Sequence, residues 1–221
     1  MIIDKEKLIF VHIPKNAGTS IKAFFGAVED NVVKEFHKHR TIKEIKNENP
    51  EAYNSYKKFA IVRNPYERMV SWYAYINSYL LHNDLLNVYD YNSNIVETKK
   101  PEISGFKKFI KNPEIETWEY NFNHTYLKAN IPGYTIPQPK VSSSRLKLLK
   151  PQCYWVDETV KILRYENLKE ELENFLGIKI NLDKLNKSSR DDILAYYDKD
   201  SLDIVYEKYK EDFKKFNYKK L

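Results

Sequence analysis

The sequence predicts an α/β domain built on a central, mostly parallel sheet with helices on its faces. Three observations predict it. Short apolar runs at Leu8–Val11 and Phe59–Val62 are bounded by turn residues, the pattern of strands buried on both faces, and Thr159–Tyr165 reads as a third strand. Segments with apolar residues three and four apart lie between and after these runs, as amphipathic helices require. Strands that alternate with helices are joined by crossovers, which makes neighbouring strands parallel. A chain of 221 residues can bury a sizeable core as one domain, so a single domain over residues 1–221 is expected.

The elements follow in order. After Leu8–Val11 come Pro14, Lys15 and Gly18, and Thr19-Ser20 are suitable N-caps for a helix running to about Ala27. Val32 to Phe36 reads as a short strand. Thr41 with Glu44 forms a capping box that starts a helix to about Lys46. Phe59–Val62 ends at Arg63-Asn64-Pro65, and Pro65 suits the first turn of a helix over Tyr66 to Leu81. Met69, Val70, Tyr73, Ile76 and Leu80 mark its apolar face. Residues 83 to 104 are polar with weak periodicity and read as an irregular insertion. Phe106 to Ile110 begins a short helix, and residues 130 to 144, with three Pro and a Ser run, read as a loop. A helix over Glu166 to Leu176 is stopped by Gly177. Leu202, Val205, Tyr206, Tyr209, Phe213 and Phe216 make the last helix amphipathic.

Composition narrows the function. Lys and Arg number 37 against 31 Asp and Glu, a net charge of +6, which suits an anionic ligand. Lys is mixed with Glu along the helices, whereas a nucleic-acid binder shows long basic runs with interleaved aromatics. The single Cys153 excludes an intrachain disulfide, and a reducing compartment is acceptable. No run approaches the roughly 18 apolar residues of a membrane span, and the start of the chain lacks signal-peptide features. The expected location is the cytoplasm. One Cys and scattered His give no metal-ligand spacing.

The organising stretch is Leu8 to Ile21. A strand, a tight loop and a helix N-terminus make an anion seat, because outward N–H groups and the helix dipole favour negative charge. Lys15 adds a mobile cation. In Lys15-Asn16-Ala17-Gly18-Thr19-Ser20 the Lys precedes the Gly, so the nucleoside-triphosphate motif GxxxxGK[ST] is absent. A second feature is Arg63, at the end of the next apolar run, with Ser71 eight residues on. Arg is a planar, bidentate donor to phosphate, and a hydroxyl two helical turns away can reach the same anion. Arg68 reads as a surface or salt-bridge residue, His12 as a structural residue that orients the loop, and Trp155 as a core or interface residue.

Pro14-Lys15-x-x-Gly18-Thr19-Ser20 after a strand resembles the 5′-phosphosulfate loop of sulfotransferases that use 3′-phosphoadenosine 5′-phosphosulfate (PAPS). Arg63 and Ser71 resemble the pair that grips the 3′-phosphate in the same superfamily. The wording HIPKNAGTS and RNPYERMVSWY is most similar to the carbohydrate group, the heparan- and chondroitin-type enzymes of sulfotransferase family 2 and their compact bacterial relatives. Leu163-Arg164-Tyr165-Glu166-Asn167-Leu168, Asn186 to Ser189, and the ending from Asp212 to Tyr218 are similar to the family's later segments. The resemblance covers most of the chain and thins over 82–150, the part in which such enzymes differ in acceptor recognition.

The resemblance implies a single P-loop-like domain. It implies sulfuryl transfer from PAPS, without a metal, to a hydroxyl of a carbohydrate acceptor. Lys15 would neutralise charge on the leaving bisphosphate. Main-chain N–H groups from Ala17 to Ser20, with Lys15, Asn16 and the Thr19 and Ser20 hydroxyls, would hold the 5′ end. Gly18 belongs to that loop, and Arg63 and Ser71 would hold the 3′-phosphate. A general base near neutral pH is required, and His is the usual choice. His39 is the favoured base and His37 its rival, because uronosyl-type sulfotransferases resemble this chain with a His-x-His there. A nucleotide-dependent kinase of similar fold and a non-catalytic anion or nucleic-acid binder remain the alternatives.

Overall fold

A computed structural model describes residues 1–26, 39–82, 87–89, 95–98, 103–111, 149–180 and 192–221, with backbone alone over 76–82, 87–89, 95–98 and 103–104. The strand expected at Val32 to Phe36 and the loop at 130 to 144 lie outside these residues. The chain divides into two compact units.

The first unit comprises residues 1–68, 150–187 and 208–221. Its sheet has the order β1 (Ile2–Ile3), β2 (Leu8–Val11), β3 (Lys57–Val62) and β6 (Lys161–Arg164). β2 pairs with β3, and β3 with β6, in parallel; β1 runs antiparallel to β2 at one edge. The apolar runs fold this way because both faces of the sheet are covered. Phe10, Phe59 and Ile61 pack on one side with Ile21, Leu168 and Leu172. Ile9, Val11, Ala60 and Val62 alternate to the other side and are fully buried. The Phe10 and Phe59 rings stack with centroids 5.1 Å apart.

Helices follow the strands as predicted. α1 is Gly18–Phe24 and α2 is Ile42–Glu48. The Thr41–Glu44 capping box is formed: Thr41 Oγ1 accepts from Glu44 N–H, and Glu44 Oε2 accepts from Thr41 N–H. α3 is Pro50–Ser55, and α4, Pro65–His82, begins on its proline. α6, Leu168–Leu176, ends at Gly177 in the left-handed conformation (φ 73°), where glycine escapes the Cβ penalty. α1 corrects one expectation. It opens at Gly18 after Ala17, a left-handed residue, so neither Thr19 nor Ser20 is its N-cap.

The second unit, residues 69–149 and 188–207, carries most of α4 and an antiparallel pair, β4 (Asn87–Tyr89) with β5 (Ile95–Thr98). The polar stretch read as irregular therefore contains strands. Strand pairing satisfies backbone groups whatever the side chains, so weak periodicity concealed it. α5 is Ile103–Lys111. Tyr73, Phe106, Phe109 and Tyr196 form an aromatic cluster, with Phe106 and Tyr196 centroids 5.5 Å apart. α7, Lys199–Lys215, starts on a reciprocal cap between Asp198 and Ser201 and departs from helical geometry at Tyr209. Met69, Val70 and Tyr73 are buried as the helical spacing of α4 predicts.

Candidate active site

The site is built where two parallel strands end side by side. The loop after β2 turns through two left-handed residues that are not glycine, Lys15 (φ 68°) and Ala17 (φ 56°). Each such residue costs roughly 1 kcal/mol, so the loop persists only because its surroundings hold it. Asn16, between them, is completely buried and is the anchor. Its Nδ2 donates to Ile61 O of β3 at 2.8 Å and to Gln152 Oε1 at 2.6 Å. Pro14 O accepts from Arg68 Nε at 3.2 Å.

The first α1 hydrogen bond runs from Ile21 N–H to Ala17 O. The N–H groups of Gly18, Thr19 and Ser20 precede it and have no intrahelical acceptor. Thr19 is exposed, Lys15 half-buried and Ser20 buried. Gly18 has a steric role. A Cβ there would lie 1.6 Å from His12 Nε2, so the His12 ring occupies the space a side chain would need. That ring packs on Phe10 and, with centroids 4.3 Å apart, on His39.

Arg63 leaves β3 one residue later along the neighbouring strand end. Its side chain is nearly buried, its Nε and Nη2 donate to Glu67 Oε2 at 3.2 and 2.6 Å, and its guanidinium lies 4.1 Å over the Tyr165 ring. The Leu163 to Leu168 segment acts here. Tyr165 supports the guanidinium, and Glu166 Oε1 accepts from Asn64 N–H at 2.8 Å, fixing the residue after Arg63. Ser71 is half-buried and stands on the part of α4 that belongs to the second unit.

His39 is partly exposed. Its Nδ1–H donates to His12 O at 3.0 Å, and its ring meets Trp155 edge to face. A carbonyl can only accept, so in the neutral ring the proton sits on Nδ1 and the lone pair on Nε2. His37 lies outside the described residues, as do Ser188 and Ser189. Trp155 is fully buried.

Arg68 departs from expectation. It is buried, and it donates to the Pro14 and Lys150 carbonyls and lies over Tyr209. Burial lowers its pKa, but guanidinium stays charged at physiological pH. Its Nε and Nη1 hydrogen bonds thus go to backbone carbonyls.

Gln152 and Asp212 were missed in the sequence. Gln152 is completely buried between Asn16 and Arg63. Asp212 is completely buried too, and its carboxylate accepts from the Gln152 and Cys153 N–H groups at 2.7 and 2.8 Å. A signal existed for Asp212. It falls between Tyr209 and Phe213 on the apolar stripe of the last helix, and a carboxylate there must be partnered. Gln152 carried none. Burial and the adjacent Asp212 push the Cys153 thiol up to about 12, so Cys153 stays a protonated neighbour of this network at neutral pH.

Beyond two adjacent parallel strand ends of the α/β sheet thus lie the Lys15 loop that opens α1 and the supported guanidinium of Arg63. The sequence profile of the sulfotransferase family matches residues 1–219, and the chain belongs to that family. It is accordingly a transferase of sulfuryl groups, with the α/β fold of that family and a hydroxyl-bearing acceptor. No curated protein and no solved structure matched the chain. Among the described residues no helix is long and apolar enough to cross a membrane.

Proposed function

We propose that this protein is a PAPS-dependent O-sulfotransferase acting on a carbohydrate hydroxyl, its two units working as one domain and residues 82–150 carrying the acceptor side. The observation that carries the reading is the pairing of Lys15 and Arg63 at the ends of adjacent parallel strands. The residues present fit the donor. The Lys15–Ser20 loop presents main-chain N–H groups and a cation to a sulfated 5′ end. Arg63 offers further donors of its fork to a 3′-phosphate.

PAPS supplies the sulfuryl group and departs as adenosine 3′,5′-bisphosphate. Lys15 neutralises the charge that develops on the bridging oxygen, so the step as proposed uses no metal. His39 takes the acceptor hydroxyl proton at Nε2, and its Nδ1–H bond to His12 O stabilises the imidazolium that results. Asn16 holds the loop, and Thr19 and Ser20 add hydroxyls to it.

The test is transfer of labelled sulfate from PAPS to a panel of glycans, peptides and phenols by wild type and Lys15→Ala, with a thermal shift against adenosine 3′,5′-bisphosphate. The bisphosphate is expected to stabilise both proteins. Turnover on a glycan should fall by about a thousandfold in the variant, the scale of losing one transition-state charge contact. Stabilisation by magnesium–ATP instead would support a kinase. Nucleotide binding without transfer to any acceptor would support a binding module.

A further inference from the structure

The carboxamide of Gln152 touches both anion seats. Its Oε1 accepts from Asn16 Nδ2 at 2.6 Å and from Arg63 N–H at 2.9 Å. Its Nε2 donates to Arg63 O at 2.8 Å and to Asp212 Oδ2 at 3.4 Å. All four of its hydrogen-bonding positions are thus engaged. The orientation is determined by chemistry. A flipped amide would face its N–H groups to those of Asn16 and Arg63, and its oxygen to a carbonyl and a carboxylate.

The location explains why a side chain is needed. Register pairing of β3 with β6 ends at Val62–Arg164. Arg63 is the next residue, and Gln152 binds both its N–H and its C=O, as a further strand would. On the opposite side the same oxygen holds Asn16, which stands between the two left-handed residues of the Lys15 loop. Asp212 anchors the bridge by accepting from the Gln152 main-chain N–H at 2.7 Å.

Resting on the PAPS reading, we infer that Gln152, anchored by Asp212, is a positioning residue that sets the spacing between the 5′ and 3′ anion seats and so lets one nucleotide engage both. A ligand gripped at two ends gains over its halves only when the separation is held. Gln152 touches neither end of the nucleotide. Its effect should appear in the gain from double engagement, and each half-ligand should bind as before.

The experiment measures binding of adenosine 3′,5′-bisphosphate, adenosine 3′-monophosphate and adenosine 5′-monophosphate by calorimetry, in wild type, Gln152→Met and Asp212→Asn. The expected result is an affinity loss of about tenfold or more for the bisphosphate in both variants, with each monophosphate within about threefold of wild type. Bisphosphate affinity within about threefold of wild type overturns the inference, and so does a loss shared equally by all three ligands, which marks a structural role. If circular dichroism shows Gln152→Met unfolded, Asp212→Asn decides by the same criteria, because it weakens the anchor of the bridge and leaves Gln152 on Asn16 and Arg63. A wild-type protein that binds none of the three nucleotides refutes the donor reading itself. Wild-type binding with unmoved or uniformly weakened variants refutes only the role of Gln152.

Discussion

Glu67 holds the guanidinium that the proposed function assigns to a 3′-phosphate. Its carboxylate takes the Nε and Nη2 side of Arg63, four residues before it on the same turn of chain. Two effects oppose each other there. The hydrogen bonds orient Arg63, and each is worth about 1 kcal/mol. The negative charge repels an incoming phosphate, by up to about 3 kcal/mol at 6 Å before salt screening. Glu67→Gln keeps an acceptor for Arg63 and removes the charge, so the repulsion should decide the outcome. Affinity for adenosine 3′-monophosphate is expected to rise by about fivefold in calorimetry, equivalent to about 1 kcal/mol. Weaker binding would mean that the ion pair itself shapes the phosphate seat. Arg68 shows the complementary case: its charge is used to gather the Pro14 and Lys150 carbonyls, and no anion is involved in either bond.

At the scale of elements, the β2–loop–α1 unit depends on a missing side chain. Gly18 lets the His12 ring lie against the first turn of α1, and that ring is confined by Phe10 and His39. Gly18→Ala would force the ring or the helix to move, at a cost of about 1–3 kcal/mol for overpacking. For a chain of this size that lowers the melting temperature on the order of 5 °C. Bisphosphate stabilisation should also shrink, because the loop N–H groups move with α1. An unchanged melting temperature in differential scanning fluorimetry would show that His12 yields easily. The same element shows how a capping rule misleads. Thr19-Ser20 has the composition of an N-cap, yet tight packing at Gly18 and the left-handed Ala17 start the helix earlier. The proposed function assigns its first N–H groups to the 5′ end of the donor.

At the scale of the whole molecule, an ion pair in the second unit links stability to acid. In the second unit Lys107 pairs with Asp198 at 2.6 Å, while Ser201 donates to the same carboxylate. The Lys107 bond first, then those from Ser201, hold the Asp198 carboxyl well below the usual carboxylate range. A depressed carboxyl stabilises the fold above its unfolded pKa of about 3.9 and loses that contribution as pH falls through the folded value. The pair is solvent-exposed, so its contribution is small and screened by salt. Lys107→Ala should therefore melt below wild type at neutral pH, and the gap should begin to narrow once the solution is acidified below about pH 4 and close as pH falls through the lower folded value. A gap that stays constant across this range would remove Asp198 as its source.

Much of this architecture was legible in the residues themselves. Continuous apolar runs gave away β2 and β3, because a strand buried on both faces has no polar alternation. The Thr41–Glu44 box, Pro65 and Gly177 marked helix ends through short-range chemistry. Lys15, Gly18, Arg63 and Ser71 stood out by spacing and by family resemblance. The pair β4–β5 did not, since its strands satisfy one another without an apolar pattern. Nor did the burial of Arg68 or the bridge from Asn16 through Gln152 to Asp212, whose partners lie 136 and 60 residues apart. Local sequence determines which residues turn, cap or bury. Which buried polar groups meet is decided only when distant segments pack, because each must then find a partner in place of water.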